Sequence, residues 1–452
     1  MKRWGFALLA TLLSCVLILL NRSTSPQMLQ DTDTRVLLKA IEERNQPFSW
    51  FVTDWPLKNH FYRPVSTLVF ELDRRIYGTN AAGFGLTNAI LVAMGVLLLF
   101  WLLRELTNRP SVACYGAVLF AFWNLNLVYQ VSEILNLLIW STLVIGALRH
   151  RRNVGMYVPA FLVILTFRDQ LFGVVGLNNL MLHWLPSRTA SVMTVFALTS
   201  MAAYARYMRH SSGTQRVAAP SAQDSPATRS TRQKSLRPAS HGWVYFSLAC
   251  AALALASYEQ AVMVPACILG LAILFHWKGH RVNWLWPAAF WALLVGYVLL
   301  RHAVVPSAPS GYQLQQFRSG AGVWLSLEDY FLPFAGSIPS FMSTWDQFPI
   351  LLITASPYAF FLFAASNIAT FIAAKKDWIY CTGGYLLSSI AFMPMAWLKQ
   401  FDHYHYWPMS LRTLLVVSLG MIAGRMVLTA WSPPASQAPK RQSPAPGSLA
   451  HQ

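Results

Sequence analysis

The sequence predicts an all-α polytopic membrane protein: a bundle of about twelve transmembrane helices with a long first external loop. Three observations predict it. Of 452 residues, 55% are hydrophobic and only 12% are charged, against roughly 25% charged in an average soluble domain. Apolar runs recur along the chain at the length, about 20 residues, that a helix needs to cross a hydrocarbon core. Basic residues gather between alternate runs, as they do on the cytoplasmic side of inserted helices. This composition excludes a soluble enzyme, a disordered chain, a coiled coil and a secreted disulfide scaffold. The five cysteines agree, since Cys15, Cys114, Cys250, Cys267 and Cys381 all lie in apolar runs without CxxC spacing.

The first run, Phe6 to Leu20, stands behind Lys2 and Arg3. A short Leu12-Leu13-Ser14-Cys15 stretch is lipoprotein-like, but Val16 to Leu20 extend the run past the cysteine, which favours an uncleaved anchor helix. Further runs follow at 86–103, 112–128, 134–148, 155–167, 189–206, 243–258, 261–276, 284–300, 350–374, 378–398 and 409–430. The stretch 170–185 holds Asn178, Asn179 and His183 between charged flanks and reads as re-entrant or interfacial.

Clusters at Arg104/Arg109, Arg149/Arg151/Arg152, Lys278/Arg281 and Lys375/Lys376 fix one side as cytoplasmic, with both termini there. The Ser-, Ala-, Pro- and Arg-rich stretch 207–242 reads as a basic, disordered cytoplasmic linker, and 431–452 as a disordered tail. The transmembrane domain is thus 1–430, with external loops at 21–85 and 301–349. The net charge of +18 falls on the cytoplasmic segments. Insertion and anionic lipid account for it, so no nucleic-acid partner is expected.

Most carboxylates lie in external segments, and almost none lies at mid-span. An ion-coupled pump needs charges at the midplane; this distribution points instead to chemistry at the outer membrane–water boundary. In the first loop, Asp31-Thr32-Asp33 follows the opening span. Two carboxylates one residue apart can share a metal or place a base near a hydroxyl. Equally, Asp31 can cap a helix running through Arg44. Tyr62 and Arg63 continue an aromatic and basic stretch suited to a sugar or a lipid headgroup, and such residues also populate interfacial belts. Arg168-Asp169 reads as an ion pair at a helix end, an arrangement more often structural than functional. Glu259 lies between two spans joined by almost no loop, a costly place unless it faces protein, water or a partner. In the last external loop, 399–408, Tyr404 and Tyr406 alternate with His403 and His405, and just beyond it Arg412 offers a guanidinium matched to phosphate geometry. The loop 301–349 is aromatic-rich, with Tyr312 among its rings.

Four segments together resemble one family. His60-Phe61-Tyr62-Arg63-Pro64-Val65-Ser66, continuing through Tyr77, Gly78 and Asn88, resembles the first-loop signature of polytopic GT-C glycosyltransferases. The nearest branch is that of protein O-mannosyltransferase-like enzymes, including members fused to tetratricopeptide repeats. Trp184-Leu185-Pro186-Ser187-Arg188-Thr189 resembles their "WxSGR-D" segment, Ser257-Tyr258-Glu259-Gln260-Ala261 their "SKE-A" turn, and Tyr404-His405-Tyr406-Trp407-Pro408 their "RYLYLP" turn. The four occur in the family's order. Tyr258 stands where relatives often carry Lys and Thr189 where they often carry Asp, and no repeats follow the last span.

The resemblance implies a mannosyltransferase-like enzyme whose outer loops bind donor and acceptor; the expected chemistry is an inverting displacement, and the compact chain without eukaryotic sorting signals points to a bacterial inner membrane. Its donor would be a polyprenyl-phosphate-linked sugar and its acceptor a hydroxyl of a glycan, lipid or protein. By position it implies Asp31 or Asp33 as general base. Tyr62, Arg63, Arg168, Tyr404, Tyr406 and Arg412 would serve the donor, with Asp169 and Glu259 in support. No cofactor is assigned; a divalent cation is compatible with these residues, though no ligand cluster demands one. The rival readings are a carrier or flippase for polyprenyl-linked saccharides and a catalytically silent membrane scaffold.

Overall fold

The computed structural model describes residues 2–44, 46–128, 141, 179–218, 241–318, 320, 322–323, 368–399 and 401–431. Within these the chain is mostly helical and has no strand; an isolated antiparallel bridge joins Phe317 to Leu398. The helices are α1 (Lys2–Leu20), α2 (Thr32–Arg44), α3 (Pro64–Tyr77), α4 (Ala81–Thr107), α5 (Pro110–Asn124) and α6 (Arg188–Ala218). They continue with α7 (Gly242–Leu255), α8 (Val264–Trp277), α9 (Leu285–Val304), α10 (Gly311–Gln316), α11 (Ile368–Phe392) and α12 (Tyr406–Trp431).

Sequence punctuation sets their ends. Pro64 and Pro110 open α3 and α5, where a missing N–H costs nothing. Asn80 caps α4 by accepting the Ala82 N–H, and Asn108 closes α4 in the left-handed region at φ 53°. Gly78 turns the chain from α3 toward α4 at φ 59°.

Each predicted apolar run inside the described residues falls on a helix. Among the described residues, five segments are long and apolar enough to cross a membrane: Arg3–Leu20, Ala81–Thr107, Glu259–Trp277, Leu285–Val304 and Asp377–Trp397. The runs 134–148 and 155–167, and most of 350–374, lie outside the described residues, as do the tail and most of the linker. The helix α6 continues past its predicted end at 206 to Ala218. Arg206 and Arg209 both pair with Glu105 of α4, at 3.1 and 2.8 Å, which holds the first turn beyond the predicted end against the bundle.

The core lies along α4, which packs on α1, α5 and α6; α6 packs on α7, and α8 and α12 pack on α11. Gly384 of α11 lets α12 approach so closely that an added Cβ would stand 2.4 Å from the Leu415 nitrogen. The outer faces of α1 and α9 expose Phe6, Leu13, Leu285 and Leu299. Such a surface belongs against lipid tails rather than water.

A small second core sits over one end of the bundle. Met28, Leu37, Ile41, Trp50, Trp55 and Phe70 from the first loop bury against Phe84 of α4 and Leu185. The Trp50 indole N–H donates to the Glu71 carboxylate at 2.9 Å. The first loop is therefore a folded cap, not a loose connection.

Candidate functional site

The four sequence segments singled out above meet beneath this cap. The start of α3 is tied to the end of α7: the Val65 N–H donates to the Ala256 carbonyl at 3.0 Å, and the Ser66 hydroxyl to the Ser257 carbonyl at 2.9 Å. The Gln260 amide donates to the carbonyls of Ala391 and Tyr404, both at 3.0 Å, which draws in the turn before α12. Trp184 completes the ring by packing on His403, with centroids 5.2 Å apart.

At the centre stands Arg63. Its Nε and one terminal nitrogen donate to a single oxygen of Glu259, at 2.8 and 2.6 Å. The guanidinium lies over three rings, 4.2 Å from the centroid of Phe61, 4.5 Å from Tyr258 and 5.3 Å from Trp55. Burial works against the Arg63 cation, but the Glu259 carboxylate, with Tyr258 and Tyr404, more than offsets it, and the guanidinium pKa is raised. The second Glu259 oxygen is buried and has no hydrogen-bond partner among the described residues. An unfilled acceptor of this kind is costly inside a protein unless something fills it.

The aromatic wall continues through Tyr258, His403, Tyr404 and Phe401. Burial pushes the phenols of Tyr258 and Tyr404 up, so both remain hydrogen-bond donors across neutral pH. It pushes His403 down to about 3, with Arg63 adding to the effect, and His405 down to about 4. Both imidazoles are neutral.

On the solvent side, Tyr312 of α10 packs edge-on against Phe61 at 6.4 Å. Burial raises its phenol pKa, the Asp33 carboxylate raises it further, and Arg63 lowers it, so Tyr312 lies within electrostatic reach of both charges. The two acids of the first loop have separate fates. Asp31 caps α2, accepting the Thr34 N–H at 3.3 Å. Asp33, in the first turn of α2, points outward with no capping duty. Partial burial and the neighbouring Asp31 push its carboxyl above the ordinary range. A cleft of about 580 Å³ on the cap is lined by Arg44, Trp50, Asp54, Trp55, Lys58 and His60; it shares Trp55 with the Arg63 cage, but neither Asp31 nor Asp33 lines it.

Other expected residues lie elsewhere. Tyr62 is buried, donating its hydroxyl to the Phe51 carbonyl at 3.0 Å and packing on Tyr297. Tyr406 is fully buried on Phe120, 5.2 Å between centroids. Arg412 is fully buried within α12, where its charge contributes to holding His405 neutral. Arg168 and Asp169 lie outside the described residues. Among those described, no group of three His, Cys, Asp or Glu side chains stands close enough to hold a metal ion.

No protein-family model, curated protein or solved structure matches the chain.

One feature absent from the list of candidate residues is Asp73. Its carboxylate meets Arg188 at 2.7 Å and accepts the Thr87 hydroxyl at 2.7 Å. Arg188 also donates to the Asn88 side chain at 2.7 Å and to the Phe84 carbonyl at 2.8 Å. Its position two helical turns beyond the conspicuous Pro64 start of α3 was the available signal: an acid among the buried residues of an amphipathic helix requires a cation.

Proposed function

We propose that the chain is a membrane glycosyltransferase of the GT-C type. It would move a sugar from a polyprenyl-phosphate donor to an acceptor hydroxyl at the outer face of a bacterial inner membrane, with both termini inside. The observation that carries this reading is the Arg63–Glu259 pair. Two segments far apart in sequence bring one guanidinium and one half-filled carboxylate together inside an aromatic cage, at the end of an apolar bundle.

In this reading Arg63 meets the donor phosphate, where negative charge grows as the sugar departs. A preorganised cation in a water-poor site stabilises that charge strongly. Glu259 holds Arg63 in place and offers its open oxygen to a sugar hydroxyl. Phe61, Tyr258 and Tyr404 face the sugar ring, while the bundle's apolar flank accommodates the isoprenoid tail. Asp33 accepts the acceptor's proton as the acceptor oxygen bonds to the anomeric carbon. The bond from that carbon to the phosphate oxygen breaks, and its electron pair leaves with the lipid phosphate. Because Asp31 is engaged as a cap, Asp33 is the stronger candidate for the base. Inversion follows from a single displacement.

The test is a donor screen. Purified full chain in proteoliposomes is supplied with polyprenyl-phosphate sugars, and products are read by mass. Sugar transfer that disappears in Asp33→Asn and Arg63→Ala supports the proposal. Lipid crossing without transfer would establish a carrier instead, and neither activity with any donor would leave a scaffold.

A further inference from the structure

At the opposite end of the bundle, several of the predicted cytoplasmic basic residues converge. Glu105 of α4 pairs with both Arg206 and Arg209, and Asp377 of α11 pairs with both Arg109 and Arg425. Each buried carboxylate is therefore shared between two guanidinium groups. Lys278, just past α8, reaches into the same cluster and donates to the Leu106 carbonyl at the end of α4. Among the described residues it has no carboxylate partner. Its ammonium and the Arg109 guanidinium both lie over the Tyr380 ring, at 5.1 and 5.7 Å. Arg209 reaches the Asn108 side chain at 3.3 Å, on the turn between α4 and α5. Three cations thus face one another, and among the described residues the cations of this cluster outnumber its two carboxylates, Glu105 and Asp377. Burial, together with the charges of Arg209 and Arg109, lowers Lys278 to about 8.

The depth of this cluster identifies what neutralises it. Tryptophans surround it: Trp4 lies under Arg104, Trp243 lies under Arg206 and packs on Trp101, and Trp277 and Trp284 are about half exposed. A tryptophan belt marks the headgroup level of a bilayer. An anion held there permanently at high local concentration is a lipid phosphate.

We propose that Lys278, Arg109 and Arg209 form a binding site for the phosphate of an anionic phospholipid in the leaflet at this end of the bundle. One ammonium N–H is spent on the Leu106 carbonyl; the other two are available. The site does not depend on the transferase reading.

The test titrates phosphatidylglycerol into the detergent-solubilised full chain and reads thermal unfolding, with phosphatidylcholine and inorganic phosphate as parallel ligands. Phosphatidylglycerol is expected to raise the melting temperature, and phosphatidylcholine is not. Lys278→Gln should weaken the apparent lipid affinity about fivefold, the loss of one basic contact at a membrane surface, and Lys278→Arg should retain it. Arg209→Gln provides a second variant, because Glu105 keeps Arg206, and it should weaken binding similarly. Unchanged affinity in both Gln variants overturns the site. Equal stabilisation by inorganic phosphate at the same concentration overturns the assignment to lipid.

Discussion

Arg188 and Asp73 face each other at 2.7 Å with neither side chain reaching solvent. The pair fastens the cap helix α3 to the start of α6, and the rings of Phe70 and Phe84 lie 5.0 and 5.7 Å from the guanidinium. Burial pushes the Asp73 carboxyl up, against the pull of Arg188 and Thr87. Removing one member strands a buried charge, which typically costs about 3–5 kcal/mol. Asp73→Ala is therefore expected to lower the melting temperature sharply. The double variant Asp73→Leu with Arg188→Met should recover part of that loss. A double variant no more stable than the single one would show that the pair does more than anchor.

Arg63 and Glu259 call for kinetics rather than melting. Under the proposed mechanism, Arg63→Ala lowers turnover by about 10²–10³-fold, the usual cost of removing one charge-stabilising donor. Arg63→Lys restores part of it at most, because an ammonium cannot reproduce the two-pronged contact with Glu259. Glu259→Gln should also be impaired while folding normally, since an amide oxygen can still accept from Arg63. Wild-type turnover in Arg63→Ala would remove the guanidinium from the chemistry.

The neighbouring acids of the first loop should separate by assay. Asp31→Ala loses a helix cap, about 1 kcal/mol of stability, and should keep transfer once folded. Asp33→Asn should leave stability nearly unchanged and reduce transfer by about 10²–10⁴-fold. Because the Asp33 carboxyl is raised above its ordinary value, the acid limb of the pH–rate profile should lie above that of a free aspartate. The reverse pattern, with Asp31 essential and Asp33 silent, would exchange their roles.

His403 and His405 make stability depend on acid. In the folded chain they titrate at about 3 and about 4, whereas free histidine titrates near 6.5. The unfolded chain therefore binds more protons as pH falls through 6.5, and acid favours unfolding. The contribution of the two histidines should be flat above about pH 7 and decline below it, by up to about 1.4 kcal/mol per pH unit for each histidine. Thermal melts from pH 7.5 to 5 test this. His403→Phe should flatten the slope, and an equal slope in that variant would place the titration elsewhere.

Much of the fold was legible in sequence because hydropathy and helix punctuation are local. Pro64, Asn80, Asn108 and Pro110 mark helix ends regardless of what surrounds them. Which distant residues pair is not local. Arg188 was visible as part of a motif, yet its dependence on Asp73 emerges only when α3 folds back over α4. Arg412 read as a phosphate ligand from its chemistry alone, and burial inside α12 follows from packing that one chain position does not reveal. Tyr312 was one ring among many in the loop 301–349 until Phe61 brought it within reach of Arg63.

His60 carries a longer consequence. Its carbonyl accepts from Arg301 and Gln313, its ring contacts the Ala308 carbonyl at 2.8 Å, and the Ser310 hydroxyl donates to the Asn59 carbonyl. The cap and the segment after α9 are thus stitched together largely through main-chain oxygens. Any widening of the aromatic cage around Arg63 on this side would therefore have to move the cap and the segment after α9 together. Each of these contacts has a side chain on one side, from Arg301, Gln313, Ser310 or His60, so substitution at those four positions would loosen the seam, whereas the main-chain acceptors tolerate any residue at Asn59 and Ala308.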